Sequence, residues 1–293
     1  MKNPKVIYIL VGVLCVLATI AGIYAQFFVK DEDKNNIILP NLNTTHGDQV
    51  VEKTAEEIKT QFVGLFTNVL NKGEYDTSNI QRIVEQSDIV YSIYDIQDKK
   101  ENYEVNIHLP AINIQGEVPT SFNQITQEIF ANKASAIMNS QSQTKTLYQM
   151  DYVAYINVDI LSLIIKATLK EGDNPQRVIV QTYNYNLTTG QKVSLEDVLA
   201  YRDLVQSEVQ NKIHNVVGKA IEEANVLVQS GYTVYNRELN NSIYQLANVE
   251  NYFLGPNGDL YIIFAYGNQS YTAEMDIVLY ENNRNTINED KGQ

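Results

Sequence analysis

The chain has 293 residues, a formal net charge of −13, 44% hydrophobic residues and one cysteine, Cys15. A lone cysteine excludes a disulfide framework, Cys-based zinc sites and, inside an apolar run, thiol chemistry. The acidic balance argues against nucleic acid and against docking on an anionic membrane face, since both reward Lys and Arg.

The first element is an apolar run, Val6 to Val29, that carries no charge. At the 1.5 Å rise of an α-helix, roughly 20 residues reach about 30 Å, the thickness of a bilayer's hydrocarbon core. Lys2 and Lys5 precede the run, and the mixed segment Lys30, Asp31, Glu32, Asp33, Lys34 follows it. Positive charge favours the cytoplasmic side, so a single-pass transmembrane helix with its N-terminus inside and its C-terminal part extracytoplasmic is expected. The run is longer than the roughly 7–15 apolar residues of a cleaved signal peptide. Cleavage near Ala25, giving a secreted protein, is the alternative. Cys15 lies mid-run behind the bulky Leu14 and reads as an apolar helix residue rather than a lipidation site.

Residues 31–49 are polar and aperiodic and read as a spacer. From Val50 to Leu70 the residues Val51, Ile58, Phe62, Leu65, Phe66, Val69 and Leu70 share one helical face, and a second short helix is expected from Ser78 to Glu85. Residues 50–88 are therefore expected to form either a helical stalk or a membrane-proximal part of the main domain. Period-two alternation then predicts strands at Val90 to Tyr94 and Tyr103 to Leu109, followed by a helix from Ser121 to Met138. Strands are expected at Tyr152 to Ile156, Leu161 to Lys170 and Arg177 to Asn186. Ser194 ahead of Glu196 and Asp197 is an N-cap signal, and a long helix from Arg202 to Val228 follows. Asn257-Gly258 marks a hairpin between Tyr252–Leu254 and Leu260–Phe264, and Met275 to Tyr280 is the final strand.

The expected fold class is α+β: an anchor over 1–30, the spacer and stalk, and two small α+β units with mainly antiparallel sheets. The units are expected at 89–172 and 173–281, with a polar tail over 282–293. The tight hairpins favour antiparallel pairing over parallel βαβ units. Twenty tyrosines, no tryptophan and abundant asparagine suggest a low-GC bacterial genome.

The search for chemistry is negative. His46, His108 and His214 are scattered without metal-ligand spacing, and no phosphate-binding, dinucleotide or nucleophile-elbow motif is present. Carboxylate pairs such as Asp151 with Asp159, or Glu222-Glu223, are available to a hydrolase, but 35 acids guarantee chance pairs. No catalytic, cofactor or metal site is expected. One segment stands out as a candidate ligand loop, with Tyr266, Asn268, Gln269 and Tyr271 between apolar strands. Tyrosines beside amides suit glycans or protein surfaces. The competing reading is an ordinary turn whose tyrosines pack at its base.

Several segments resemble a known family. LPAINIQG and SFNQITQEIFANK within Tyr103 to Met138, the stretch YVAYINVDILSLIIKATL, TYNYNLTTGQKVSLEDVL from Thr182 to Leu199, and YFLGPNGDLYIIFAYG carry the likeness. Together they resemble the tandem extracytoplasmic domains of unknown function shared by RsiV-type lysozyme-binding anti-sigma factors and PdaC-type peptidoglycan deacetylases. The five residues ahead of the apolar run are too short for a sigma-binding region, and no deacetylase domain is seen. The last loop, YGNQSYTAE, departs from the aromatic-acidic pattern of relatives. The resemblance implies a membrane-anchored binding or sensor module for cell-wall glycan or a wall-directed protein such as lysozyme, without either output module. The alternative is a cell-wall hydrolase using unidentified carboxylates.

Overall fold

A computed structural model describes residues 53–85 and 87–282, and the anchor, the spacer and the tail beyond residue 282 lie outside them. The fold is mixed α+β with mainly antiparallel sheets. Five long strands form the larger sheet in the order β2-β3-β4-β5-β6: β2 (Val90–Lys99), β3 (Tyr103–Ile112), β4 (Thr146–Asn157), β5 (Ile160–Glu171) and β6 (Arg177–Asn186). Pairing is antiparallel except where β3 and the two-residue β1 (Leu70–Asn71) run parallel to β4. β3 accompanies β4 only as far as Met150, and β1 takes over at Ala154. Asn68 fills the gap: its backbone adopts a left-handed φ of 56°, and its side-chain oxygen accepts from the Tyr152 amide at 3.0 Å. Asparagine tolerates that conformation better than most residues.

The smaller sheet is an antiparallel meander of β7 (Tyr252–Leu254), β8 (Leu260–Ala265) and β9 (Met275–Tyr280). Side-chain alternation sorts the molecule into four layers. On one face of the large sheet, Tyr103, Val105, Tyr148 and Met150 pack under α2 (Glu117–Thr126) and α3 (Asn132–Met138), which a π-helical turn joins. On its other face, Val153, Tyr155, Ile164 and Val180 meet Phe253, Tyr261, Ile263 and Ile277 of the small sheet. The far face of the small sheet, with Ile262, Phe264 and Val278, is covered by α4 (Leu195–Tyr201) and α5 (Gln206–Gln229) through Val198, Val209, Ile213 and Val217.

Local chemistry sets the helix starts. Ser194 and Asp197 form a reciprocal capping box on α4, as do Thr54 and Glu57 on α1 (Ala55–Val63). The side-chain and backbone bonds from Ser194 hold the Asp197 carboxyl below its usual range, and the Thr54 cap does the same for Glu57. A depressed folded pKa means that this stabilisation is present above the unfolded value and fades as pH falls through the folded one. In the last hairpin, Asn257 and Gly258 take φ of 56° and 78°, the left-handed pair that the sequence signal implies.

Two expectations differ from the structure. The described residues between 53 and 88 do not form a two-helix stalk: α1 ends at Gly64, and no helix forms over 78–85. That segment is held by Asn113, whose amide bonds both the N–H and the C=O of Val84, at 2.7 and 2.6 Å. The apolar face of α1 is spent on the main core, where Phe62 is fully buried against Phe253 and Tyr261, at ring distances of 6.3 and 6.4 Å. The strand Arg177–Asn186, expected to open the second unit, belongs instead to the large sheet through its register with β5. Its apolar residues are buried on both faces, a demand only the interior of a layered fold meets.

The placement of α1 is testable. Phe62→Ala should cost about 3–5 kcal/mol in urea unfolding, the range for a fully buried aromatic. A loss under about 1 kcal/mol, typical of surface positions, would show that α1 is a stalk after all.

Candidate functional site

The candidate loop joins β8 to β9 and begins with a 3-10 turn, Tyr266–Asn268. Its first tyrosine points inward. The Tyr266 ring stacks on Tyr235 with centroids 4.1 Å apart, and its hydroxyl lies between the Tyr244 hydroxyl, at 2.8 Å, and the Asp276 carboxylate, to which it donates. Burial, reinforced by the Asp276 charge, pushes the Tyr266 hydroxyl far above the usual phenol range, so it stays protonated. Arg237 closes the cluster: it donates to both carboxylate oxygens of Asp276, at 2.8 and 3.0 Å, and to Glu274 at 2.8 Å. Burial works against the guanidinium charge, but the bonds and charges of Asp276 and Glu274 outweigh it. An ion pair this enclosed is costly to break by removing one partner.

The middle of the loop serves the edge of β6. Asn268 imitates a strand residue: its Oδ1 accepts from the Val180 N–H and its Nδ2 donates to the Val180 carbonyl, both at 2.9 Å. The Val178 N–H donates to the Thr272 carbonyl at 3.1 Å. Arg177 donates from Nε to the Gly267 carbonyl at 3.0 Å, and its guanidinium lies 5.4 Å from the Tyr271 ring centroid. Gly267 is required here because a Cβ would stand 2.0 Å from the Val178 oxygen. Only Gln269 and Tyr271 remain exposed.

The four expected site residues therefore divide. Tyr266 is core and Asn268 is an edge clamp, while Gln269 and Tyr271 are presented to solvent. The cleft beside them, between Tyr235, Asn248, Tyr266 and Gln269, is only about 80 Å³. Small-molecule sites start at about 300 Å³, so this cleft does not enclose a sugar. Two larger recesses exist elsewhere. One of about 680 Å³ lies between α4, the start of α5 and residues 245–249, and one of about 700 Å³ lies between α1, α5 and β9.

The other candidates are not brought together. His46 lies outside the described residues. His108 pairs with Asp95 at 2.9 Å across β2 and β3, while His214 is on α5 with a buried Nε2 that has no hydrogen-bond partner among the described residues. Asp151 accepts from Asn68, and Asp159 from Asn186 in the β5–β6 region. Among the described residues no group of three His, Cys, Asp or Glu side chains could hold a metal ion, and no helix is long and apolar enough to cross a membrane. The run Val6 to Val29 is outside those residues. Sequence reasoning missed the Arg237–Glu274–Asp276 cluster. Its signal was an acid at an inward position of an otherwise apolar strand, EMDIVLY.

No family model and no curated protein matches the chain. Similar solved structures include two DUF3298 proteins. A DUF3298 family protein from Pseudomonas aeruginosa PAO1 is 16% identical, with a TM-score of 0.35, over 62% of this chain and 83% of that one. A DUF3298 family member from Bacteroides fragilis NCTC 9343 is 12% identical, with a TM-score of 0.30, over 61% and 80%. Likeness at this level says nothing about ligand or activity.

The division of the loop predicts opposite outcomes for neighbouring substitutions. Gly267→Ala should destabilise by about 1–3 kcal/mol as an overpacked site. Tyr271→Ala should stay within about 0.5 kcal/mol, as exposed positions do. Thermal unfolding of both variants checks this, and equal losses would contradict it.

Proposed function

We propose that this chain is a membrane-anchored, extracytoplasmic binding or sensor module without enzymatic activity. The observation that carries the reading is the 266–272 loop, with its base locked by Asn268, Gly267 and Arg177 while Gln269 and Tyr271 face solvent. An aromatic and an amide on a rigid platform lose little freedom on binding and suit an extended glycan or a protein surface. The tether is the run Val6 to Val29, with the N-terminus cytoplasmic. Cleavage near Ala25 would instead release the same module. The resemblance to the RsiV-type and PdaC-type domains supports cell-wall glycan or a wall-directed protein such as lysozyme as ligand. The net charge of −13 favours a basic protein partner, through attraction that salt screens. Neither cofactor nor metal enters this role, and nucleic acid is not a partner.

The test is retention of the protein on immobilised lysozyme and on purified peptidoglycan. Retention of at least one at low salt is expected, weakened about tenfold by Tyr271→Ala, as for an exposed aromatic anchor. Retention of neither overturns the reading. Release of soluble glycan fragments would favour a wall hydrolase acting through unidentified carboxylates.

A further inference from the structure

The large sheet is covered by the small one over only part of their shared face, where Val153, Tyr155, Ile164 and Val180 meet the meander. Toward the other end of the strands, the same face carries a row of four uncharged polar side chains in direct register. Gln97 of β2 stands opposite Asn106 of β3, Asn106 beside Gln149 of β4, and Gln149 opposite Thr168 of β5. Their neighbours along the strands, among them Val105, Ile107, Tyr148 and Met150, turn into the core under α2 and α3, so the four share the outward face. Gln97 and Gln149 are exposed, and Asn106 and Thr168 are half-buried. None of the four side chains hydrogen-bonds another described residue.

The charges around the row cancel. On one side Asp95 stands opposite His108 and Asp151 opposite Lys166, and on the other Lys99 stands opposite Glu104 and Leu147 opposite Lys170. With His108 counted as neutral, the two flanking rows hold three acids and three lysines. Lys145, which acts on Glu104 from further out, keeps the patch within one charge of neutral, in a chain whose net charge is −13. Part of this charge is already paired: Lys99 meets Glu104 at 2.7 Å, and His108 meets Asp95 at 2.9 Å. Asparagine is depleted in strands, and Asn106 sits in the middle of β3 without a bond that would reward it there. Beside Lys166 the half-buried Phe66 ring, 4.3 Å from Nζ, adds an aromatic surface to the border of the patch.

We propose that this row is a platform for an uncharged, extended glycan lying across the strands. The proposal rests on the glycan half of the function given above, and adds to it the charge of the ligand and a surface other than the Tyr271 loop. The gaps between the four strands span about 14 Å at 4.7–4.9 Å each, so one chain of several pyranose rings can meet all four side chains in succession. Each side-chain amide offers both donor and acceptor, as does the Thr168 hydroxyl, and sugar hydroxyl and acetamido groups offer the same pair in return. The balanced flanks give neither an acidic nor a basic chain an electrostatic advantage. The row itself presents no apolar anchor pocket of the kind a helical peptide requires. Because the strands hold the four groups in place beforehand, binding orders little of the protein.

The probes are hexamers of β-1,4-linked glucose and of β-1,4-linked N-acetylglucosamine, titrated calorimetrically into the full-length protein, with a galacturonate hexamer as the charged control. At least one neutral hexamer should bind, with an affinity that salt leaves unchanged. Asn106→Ala combined with Gln149→Ala should weaken that binding about tenfold, the share of two neutral hydrogen bonds. Gln149→Glu, which keeps the shape of the side chain and removes its donor, should weaken it as well, whereas Tyr271→Ala should not. Thermal unfolding of these variants should match the parent, since neither Asn106 nor Gln149 bonds the rest of the fold. Failure of both neutral hexamers to bind overturns the proposal, as does equal binding of the galacturonate hexamer or unchanged binding by the double variant. Binding lost in Tyr271→Ala but kept in the double variant also overturns it and leaves the Tyr271 loop as the site. Retention on lysozyme without any binding of the neutral hexamers does the same.

Discussion

The fold depends on one buried polar pair of the large sheet that bonds the main chain of the small one. Ser162 of β5 and Asn184 of β6 are 0% and 2% exposed, and the Ser162 hydroxyl donates to the Asn184 amide oxygen at 2.6 Å. The same hydroxyl accepts from the Leu254 N–H, and the Asn184 amide donates to the Tyr252 carbonyl. A strand edge laid against the face of another sheet would bury main-chain groups without partners, at about 1–3 kcal/mol each. Ser162 and Asn184, with Thr182 at the Tyr252 N–H and Asn157 at the Leu254 carbonyl, remove that cost for β7. Because they are directional, they also fix where β7 sits on the large sheet, and with it the whole meander β7-β8-β9.

The consequences extend outward in both directions. With the small sheet fixed, Phe253, Tyr261 and Ile277 close on Val153, Tyr155 and Val180, and Phe62 of α1 is drawn into the same core. The β8–β9 loop is then delivered to the edge of β6, where Asn268 repeats the device of a side-chain amide standing in for a strand. The exposed Tyr271 owes its position to that second clamp. Opposite, the meander leaves β9 as its last strand, flanked by α1 and by α5, whose Lys212 donates to the Leu279 carbonyl.

Much of this was legible in the sequence, and the remainder failed for identifiable reasons. Elements governed by local chemistry were readable: the Ser194 cap, the Asn257-Gly258 turn, the alternation of β2 and β3 and the apolar stripe of α5. The α1 region misled because Leu65, Phe66 and Leu70 continue a helical spacing that Gly64 interrupts, and their burial is achieved by a loop and a two-residue strand. The strand Arg177–Asn186 was placed with its sequence neighbours, whereas its pairing is set by a register with β5 that no local pattern encodes. Ser162 and Asn184 look like polar interruptions of apolar strands, and their partners lie 92 and 68 residues away. At the candidate loop, residue types drew attention to the right segment. They could not tell the core tyrosine from the exposed one, because that depends on Arg237 and Asp276, which are 39 residues apart.

If the bonds from Ser162 and Asn184 to β7 join the two sheets, they must unfold as one. Native-state hydrogen exchange of Ser162→Ala against the parent protein measures this at the amides of Ile164 in the large sheet and Leu279's neighbour Val278 in the small one. Both amides should open with the same free energy in the parent, and both should lose about 1–3 kcal/mol together in the variant. A loss confined to Val278, with Ile164 unchanged, would show two independently stable units and contradict it.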